Sequence, residues 1–210
     1  MDSVPAAPTF RQRVRARLRD EVLDAAYATT VDAGWEHVRM TTLAAAVGVS
    51  RQTLYKEFGS KDEVGEALVL REAARFHEGV IEHADQHEDL AESVHAAISF
   101  TLRHGAANPL LRSVLAGSQS GEQSLLPYIT TGSGRVLDAT TSLVREHLRG
   151  RHPDLAGEHL DTLADAILRL SVSHLLRPTA PVQTTADRIT RLVSAYVDAH
   201  VTTPDRTDSA

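Results

Sequence analysis

Twenty-one consecutive residues, Thr41 to Lys61 (TTLAAAVGVSRQTLYKEFGSK), limit this chain more than any other stretch. Their spacing predicts two short helices and a tight joint. Thr41 and Thr42 stand before Leu43, where their hydroxyls can accept from the orphan N–H groups of a first helical turn. Ala44, Ala45 and Ala46 favour helix and take little room, so a neighbouring helix can come close. Gly48 tolerates the left-handed backbone that ends a helix, and Val49 plugs the turn. Ser50 is a good N-cap for a second helix, Arg51 to Phe58. Leu54 and Phe58 are four apart and share an inward face, which leaves Arg51, Gln52, Thr53, Tyr55 and Lys56 in water. A helix with that outer face can enter the major groove of DNA. Gly59 ends it, and Ser60 with Glu63 has the spacing of a capping box. Lys61 falls in a first turn, where the dipole disfavours a cation but a phosphate would welcome it. The plainer reading is a helical hairpin with a solvated face. Against it, the outer face offers donors and an aromatic rather than a Glu/Lys mixture.

The string LAAAVGVSRQTLYKEFGSKDEV resembles the helix-turn-helix of the TetR family of bacterial transcriptional regulators. The resemblance runs from about Arg17 to Leu70, and the pattern AxxxGVSxxTLYxxFxSK carries it. It implies an all-α fold of about nine helices: a three-helix DNA-binding head over residues 1–60 and a helical ligand-binding and dimerisation body over 61–210. It also implies a sequence-specific DNA-binding regulator, a repressor released from a palindromic double-stranded operator by a small-molecule effector. Thr41, Arg51 and Gln52 are then the candidates for base edges, with Arg51 suited to guanine and Gln52 to adenine. Arg39, Thr42, Thr53, Tyr55, Lys56 and Lys61 are the candidates for phosphates. The chain departs from the family pattern at Arg39, where many members have Thr. Capping then passes to Thr41, and Arg39 is left to reach the DNA backbone. An activator or architectural protein without a ligand remains an alternative, as does a helical binding protein that never meets DNA.

The 210 residues are 42% hydrophobic and 24% charged, as in a soluble globular protein. Aromatics are only 4%, and Ala, Leu and Val dominate, which favours helices. No apolar run is long enough for a membrane span, and the start has neither the charged nor the apolar region of a signal peptide. The absence of cysteine excludes disulfides and thiolate chemistry and fits a cytoplasmic setting. The net charge of −6 is unevenly spread. Residues 1–61 hold nine Lys+Arg and seven Asp+Glu, a net +2, and the rest hold thirteen and twenty-one, a net −8. A weakly basic head on an acidic body leaves only the head able to dock on DNA.

Along the chain, a helix is expected from Thr9 to about Ala33 on the stripe Val14, Leu18, Val22, Ala25, Ala26 and Thr29. Five arginines, Arg11 through Arg19 at alternate positions, crowd its start and read either as a solubilising face or as a basic arm near DNA. Trp35 is expected to pack the head against a helix beginning at Lys61. Further helices are expected from Leu90 to His104, from Asn108 to near Gly117, from Arg135 to Arg151, from Asp154 to Arg177 and from Thr184 to Val201. The last two are apolar over broad arcs and need a second neighbour. Leu163, Ile167, Leu170, Leu192 and Tyr196 are therefore expected at a two-fold interface. By the resemblance, the body holds a cavity, with Phe76, Phe100, His104 and Tyr128 as candidate lining. His83 and His87 are four apart, but a break between helices is expected there, so no metal site and no cofactor is assigned. No Gly-rich phosphate loop, HExxH or GxSxG motif suggests an enzyme.

Overall fold

A computed structural model describes residues 9–113, 125, 135–151, 153, 155 and 157–200. Among these, every regular element is a helix. In order they are α1 (Phe10–Ala33), a 3-10 turn (Trp35–His37), α2 (Met40–Ala46), α3 (Arg51–Phe58), α4 (Lys61–Ala84), α5 (Leu90–Ala107), α6 (Arg135–Arg151), α7 (Gly157–Leu176) and α8 (Val182–His200). The described residues of the short helix after Asn108 are Pro109 to Ser113, and the Asn108 carboxamide oxygen caps them by accepting from the Leu111 N–H at 3.0 Å. The chain divides into two compact units. The first is Met1–Val69 with Ser113–Tyr128, and the second is Leu70–Arg112 with Ile129–Ala210. The division therefore falls inside α4, and the first unit borrows a segment from the middle of the chain.

In the first unit α1 packs on α2 and on the 3-10 turn, and α2 packs on α3. A reciprocal capping box of Thr9 and Gln12 starts α1. The first fully buried position of α1 is Val22, followed by Leu23, Ala26 and Thr30. Val14, expected inward, is 51% exposed, and Thr30 rather than Thr29 turns to the core. Only the second half of α1 serves the interior.

Two further expectations are corrected here. α2 starts two residues early, at Met40, because Met40 is buried and joins the helix to get there. Its N-cap is Arg39, and no side chain caps it. Thr41 and Thr42 thus lie within the first turn and cap nothing. Arg39 is not released from the cap position. Its guanidinium donates to the Glu36 carbonyl, and to the Val38 carbonyl at 3.1 Å.

Trp35 meets α4 as expected. A Cβ placed on Gly65 would fall 2.8 Å from the indole Cζ2 and 2.9 Å from Leu125 Cδ2, so only glycine lets both side chains close on the α4 backbone. The buried Leu125 is one of the borrowed residues. Another is Ser113, whose hydroxyl donates to the Thr30 carbonyl at 2.6 Å.

A carboxylate joins α1 to α3. Arg15 Nε lies 2.9 Å from both Glu57 oxygens. Arg19 Nη1 lies 2.9 Å from Glu57 Oε1 and 3.3 Å from the Glu57 carbonyl, and its guanidinium sits 4.5 Å over the Phe58 ring. Burial pushes the Glu57 carboxyl up, but the hydrogen bonds and charges of Arg19 and Arg15 outweigh it and hold it below its ordinary value.

The second unit has its own core. α5 lies against α8 and α7, and α6 against α7. Ile98, Leu102, Leu148, Leu160, Leu163 and Ile189 are among its buried members. Leu143, on α6, is 37% exposed. Arg151 closes the end of α4: its guanidinium reaches Asp85 Oδ1 at 2.7 Å, the Ala84 carbonyl at 3.3 Å and the His87 carbonyl. A cation there meets the carbonyls that the last helical turn leaves unpaired.

Replacing Glu57 by Gln removes the charge that two arginines share, and should cost about 1–2 kcal/mol of stability in denaturant unfolding at neutral pH. The folded carboxyl holds its proton less tightly than the unfolded one, so this contribution is present above the ordinary value of 4.5 and is lost as pH falls through the lowered one. The difference between the native protein and Glu57→Gln should therefore shrink on acidification.

Candidate nucleic-acid interface

α3 owes its position to its two apolar residues. Leu54 is fully buried and Phe58 is 4% exposed. Burying each contributes roughly 1.5–3 kcal/mol, which fixes the rotation of the helix about its axis. The opposite side is then committed to solvent: Arg51, Gln52, Thr53, Tyr55 and Lys56 are all exposed. The joint with α2 is held by backbone bonds, from Gly48 N–H to the Ala45 carbonyl at 3.3 Å and from Val49 N–H to the Ala44 carbonyl at 3.0 Å. Gly48 has φ +72°, and a Cβ there would meet nothing within 4 Å. Its glycine therefore answers a backbone requirement and not a shortage of space. Ser50 Oγ caps α3 by accepting from the Thr53 N–H at 3.0 Å, and it shares a 2.8 Å hydrogen bond with the Thr53 hydroxyl.

The candidate base readers Thr41, Arg51 and Gln52 are all exposed, on the first turns of α2 and α3. Thr42, Thr53, Tyr55 and Lys56 are exposed on the same two helices, and Arg39 is exposed just before α2. Lys61 is half-buried at the first residue of α4, with its ammonium 5.0 Å over the Trp35 ring. Burial pushes the Lys61 amine below its ordinary value and the nearby Arg39 guanidinium adds to that, while Asp62 and Glu36 pull it back. The Ser60 hydroxyl accepts from the Glu63 N–H at 3.1 Å and caps this end of α4.

The geometry now has counterparts. The family described as bacterial regulatory proteins, tetR family, matches residues 22–68, and that described as the bacterial tetracyclin repressor C-terminal domain matches 89–195. The chain belongs to the TetR family. It is 29% identical over 195 residues to the HTH-type transcriptional regulator AlkX of Mycobacterium tuberculosis, covering 91% of this chain and 90% of that one. Its fold matches that of the TetR family repressor AlkX from a Dietzia strain implicated in biodegradation of n-alkanes, with a TM-score of 0.71 at 24% identity over 88% of this chain and 97% of that one. It also matches the TetR-family transcriptional repressor QsdR of R. erythropolis, with a TM-score of 0.62 at 18% identity over 85% and 95%. This TetR-family chain is thus a DNA-binding transcriptional regulator and not an enzyme.

Within the second unit, three of the four residues expected to line a cavity come together. The Phe76 and Phe100 rings are 5.5 Å apart, and Phe100 stacks on His104 at 4.2 Å. His83 joins them, 4.2 Å from Phe100. Tyr128 lies outside the described residues. His83 and His87 do not form a pair: His83 is on the last turn of α4, and His87 lies beyond it beside the Glu92 carboxylate at 3.5 Å. Among the expected interface residues Leu192 is 61% exposed, and Ile167, Leu170 and Tyr196 are half-buried. Leu163 is corrected. It is 2% exposed in the core of its own unit and has no surface for a partner. Sequence reasoning also missed Glu57. Its spacing three residues after Leu54 places it on the inward side of α3, opposite Arg15 and Arg19, which share a face of α1.

The cap and the joint are separable contributions. Ser50→Ala should cost about 1 kcal/mol by loss of the cap. Gly48→Ala should cost about 1–2 kcal/mol through the left-handed backbone alone. Thermal unfolding followed by circular dichroism checks both.

Proposed function

We propose that this protein is a homodimeric repressor that reads a palindromic operator through α3 and is released by a small molecule held in its second unit. The observation that carries the reading is the division of α3 into a buried side, Leu54 and Phe58, and an exposed side of donors. Gln52 and Arg51 serve adenine and guanine edges, and Thr41 adds a contact from α2. Thr42, Thr53, Tyr55, Lys56 and Lys61 hold phosphates, together with those N–H groups of Arg39 that its carbonyl contacts do not use. A phosphate beside Lys61 reverses the balance that lowers its amine, and it secures the proton there.

A palindrome needs two heads related by a two-fold axis. Leu192, with Ile167, Leu170 and Tyr196, supplies the outward surface of α7 and α8 for that pairing. The domains follow the same division of labour, a head over 1–60 and a body from 61 on. The Phe76, Phe100 and His104 cluster is where the effector is sensed. Compounds of the n-alkane class and their oxidised derivatives are the first to try, since the Dietzia AlkX is implicated in n-alkane biodegradation. A cytoplasmic setting follows from access to the chromosome.

Fragments of genomic DNA captured by the protein and then challenged with such compounds test the reading. Capture of a two-fold symmetric sequence that the effector releases is the expected result. On that site Gln52→Ala should relax preference at one base pair, while Lys61→Ala should weaken all sequences alike and reduce the salt slope by about 1 per lost phosphate contact. Leu192→Glu should leave a folded protein that sediments as a monomer and binds the operator more weakly. A loss for Gln52→Ala that is uniform across sequences contradicts its role.

A further inference from the structure

We infer that His159 on α7 and His200 on α8 form a binding site for a divalent first-row transition-metal ion, with Zn2+ as its representative. Both rings belong to the second unit, His159 in the first turn of α7 and His200 at the last residue of α8. Their centroids are 4.7 Å apart. Two imidazoles on one tetrahedral ion, each with its nitrogen about 2.0 Å from the metal, have centroids roughly 5 Å apart. The two rings, from different helices, thus already have the separation that one ion requires.

Tyr196 holds both rings by the nitrogen that a metal would not use. His200 Nδ1 lies 2.7 Å from the Tyr196 carbonyl. A carbonyl only accepts, so the proton is on Nδ1 and the Nε2 lone pair is left free. His159 Nδ1 lies 2.9 Å from the Tyr196 hydroxyl, whose oxygen can accept from a protonated Nδ1 in the same way. The Tyr196 ring stacks on His200 at 4.2 Å and meets His159 edge-on at 5.7 Å. Metal-binding histidines are held by such contacts: the second nitrogen donates to a carbonyl or another polar group, which fixes the tautomer and aims the ring. The His159 side chain is 20% exposed and His200 is exposed, so an ion can arrive from solvent. The Glu158 carboxylate lies 4.0 Å from His159 Nε2 and favours a cation there.

Among the described residues no three His, Cys, Asp or Glu side chains gather into a metal group, so the chain supplies two ligands here and water the others. The nitrogens select the ion. Imidazole suits zinc, copper and nickel, whereas magnesium and calcium keep to oxygen. His83 and His104 do not make an equivalent site: their centroids are 6.2 Å apart, and the Phe100 ring lies 4.2 Å from each. An ion on His159 and His200 ties the start of α7 to the end of α8.

Calorimetric titration of the full-length protein with ZnCl2 tests the site. One equivalent of zinc per chain should be lost in His159→Ala and in His200→Ala, and kept in His37→Ala, whose ring is exposed in the first unit. Tyr196→Phe keeps the carbonyl and the ring but removes the hydroxyl, and should bind that equivalent about tenfold more weakly. MgCl2 should not replace ZnCl2. The thermal midpoint should rise with ZnCl2 in the native protein more than in either histidine variant. His200→Ala, at an exposed helix end, guards against a folding defect in His159→Ala. Leu192→Glu should bind zinc as the native protein does, because the site lies within one chain.

Zinc uptake that is the same in the native protein and both histidine variants overturns the inference and assigns the ion to other imidazoles. Absence of uptake by the native protein overturns it as well. Undiminished affinity in Tyr196→Phe removes the hydrogen bond that aims His159 and overturns the assigned geometry. Loss of the equivalent in a folded Leu192→Glu overturns the single-chain site and makes it a property of a pair. None of these outcomes bears on the reading of α3, which is tested on DNA.

Discussion

The burial of Leu54 and Phe58 is the constraint from which the rest follows. An eight-residue helix has little stability of its own, because nucleation is costly and few backbone bonds repay it. Here the two buried side chains, the Ser50 cap and the Glu57 clasp supply what propagation cannot. Once they are satisfied, α3 has no rotational freedom left. Its remaining residues face water whatever their chemistry, and that chemistry is a row of hydrogen-bond donors. The same side chains on an unanchored segment would bind phosphate as a flexible chain and read nothing, because reading base edges requires donors at fixed positions.

Glu57 shows how electrostatics and packing share this task. A half-buried carboxylate with two guanidiniums gains hydrogen bonds from both sides, and these exceed the cost of its burial. Arg19 contributes twice, through its charge to Glu57 and through its plane over Phe58. The arginines of α1 are thus divided. Arg15 and Arg19 are structural, and Arg11, Arg13 and Arg17 remain exposed. An argument that treats five arginines as one basic arm misses this division.

Much of the head was legible because its signals are local. Gly34, Gly48 and Gly59 all take positive φ where the helices were expected to end, and Ser50 caps where its spacing places it. Arg135–Arg151 likewise has the bounds its amphipathic pattern predicts. The features that were not legible depend on distant partners. Glu57 and Arg15 are 42 residues apart, and Ser113 and Thr30 are 83 apart. The start of α2 at Met40 was hidden for a related reason: burial of one methionine overrode the capping preference of two threonines. In the second unit, periodicity identified apolar faces but could not say which neighbour each would meet. Leu163 and Leu192 read alike in sequence, yet one fills the core and the other faces solvent.

That contrast also bears on how a regulator of this design stays specific. A leucine left 61% exposed on a helix whose Ile189 and Val193 are already buried is surplus to the unit's own core. Exposed aliphatic area carries a cost in free energy that a symmetric partner can remove. Pairing through such residues would join two acidic bodies, each carrying about eight surplus negative charges, and two weakly basic heads. The bodies repel the duplex while the heads attract it. Nonspecific adhesion along the chromosome would then be suppressed, leaving the head as the surface able to dock. The acidic remainder strengthens discrimination between a seated and an unseated protein.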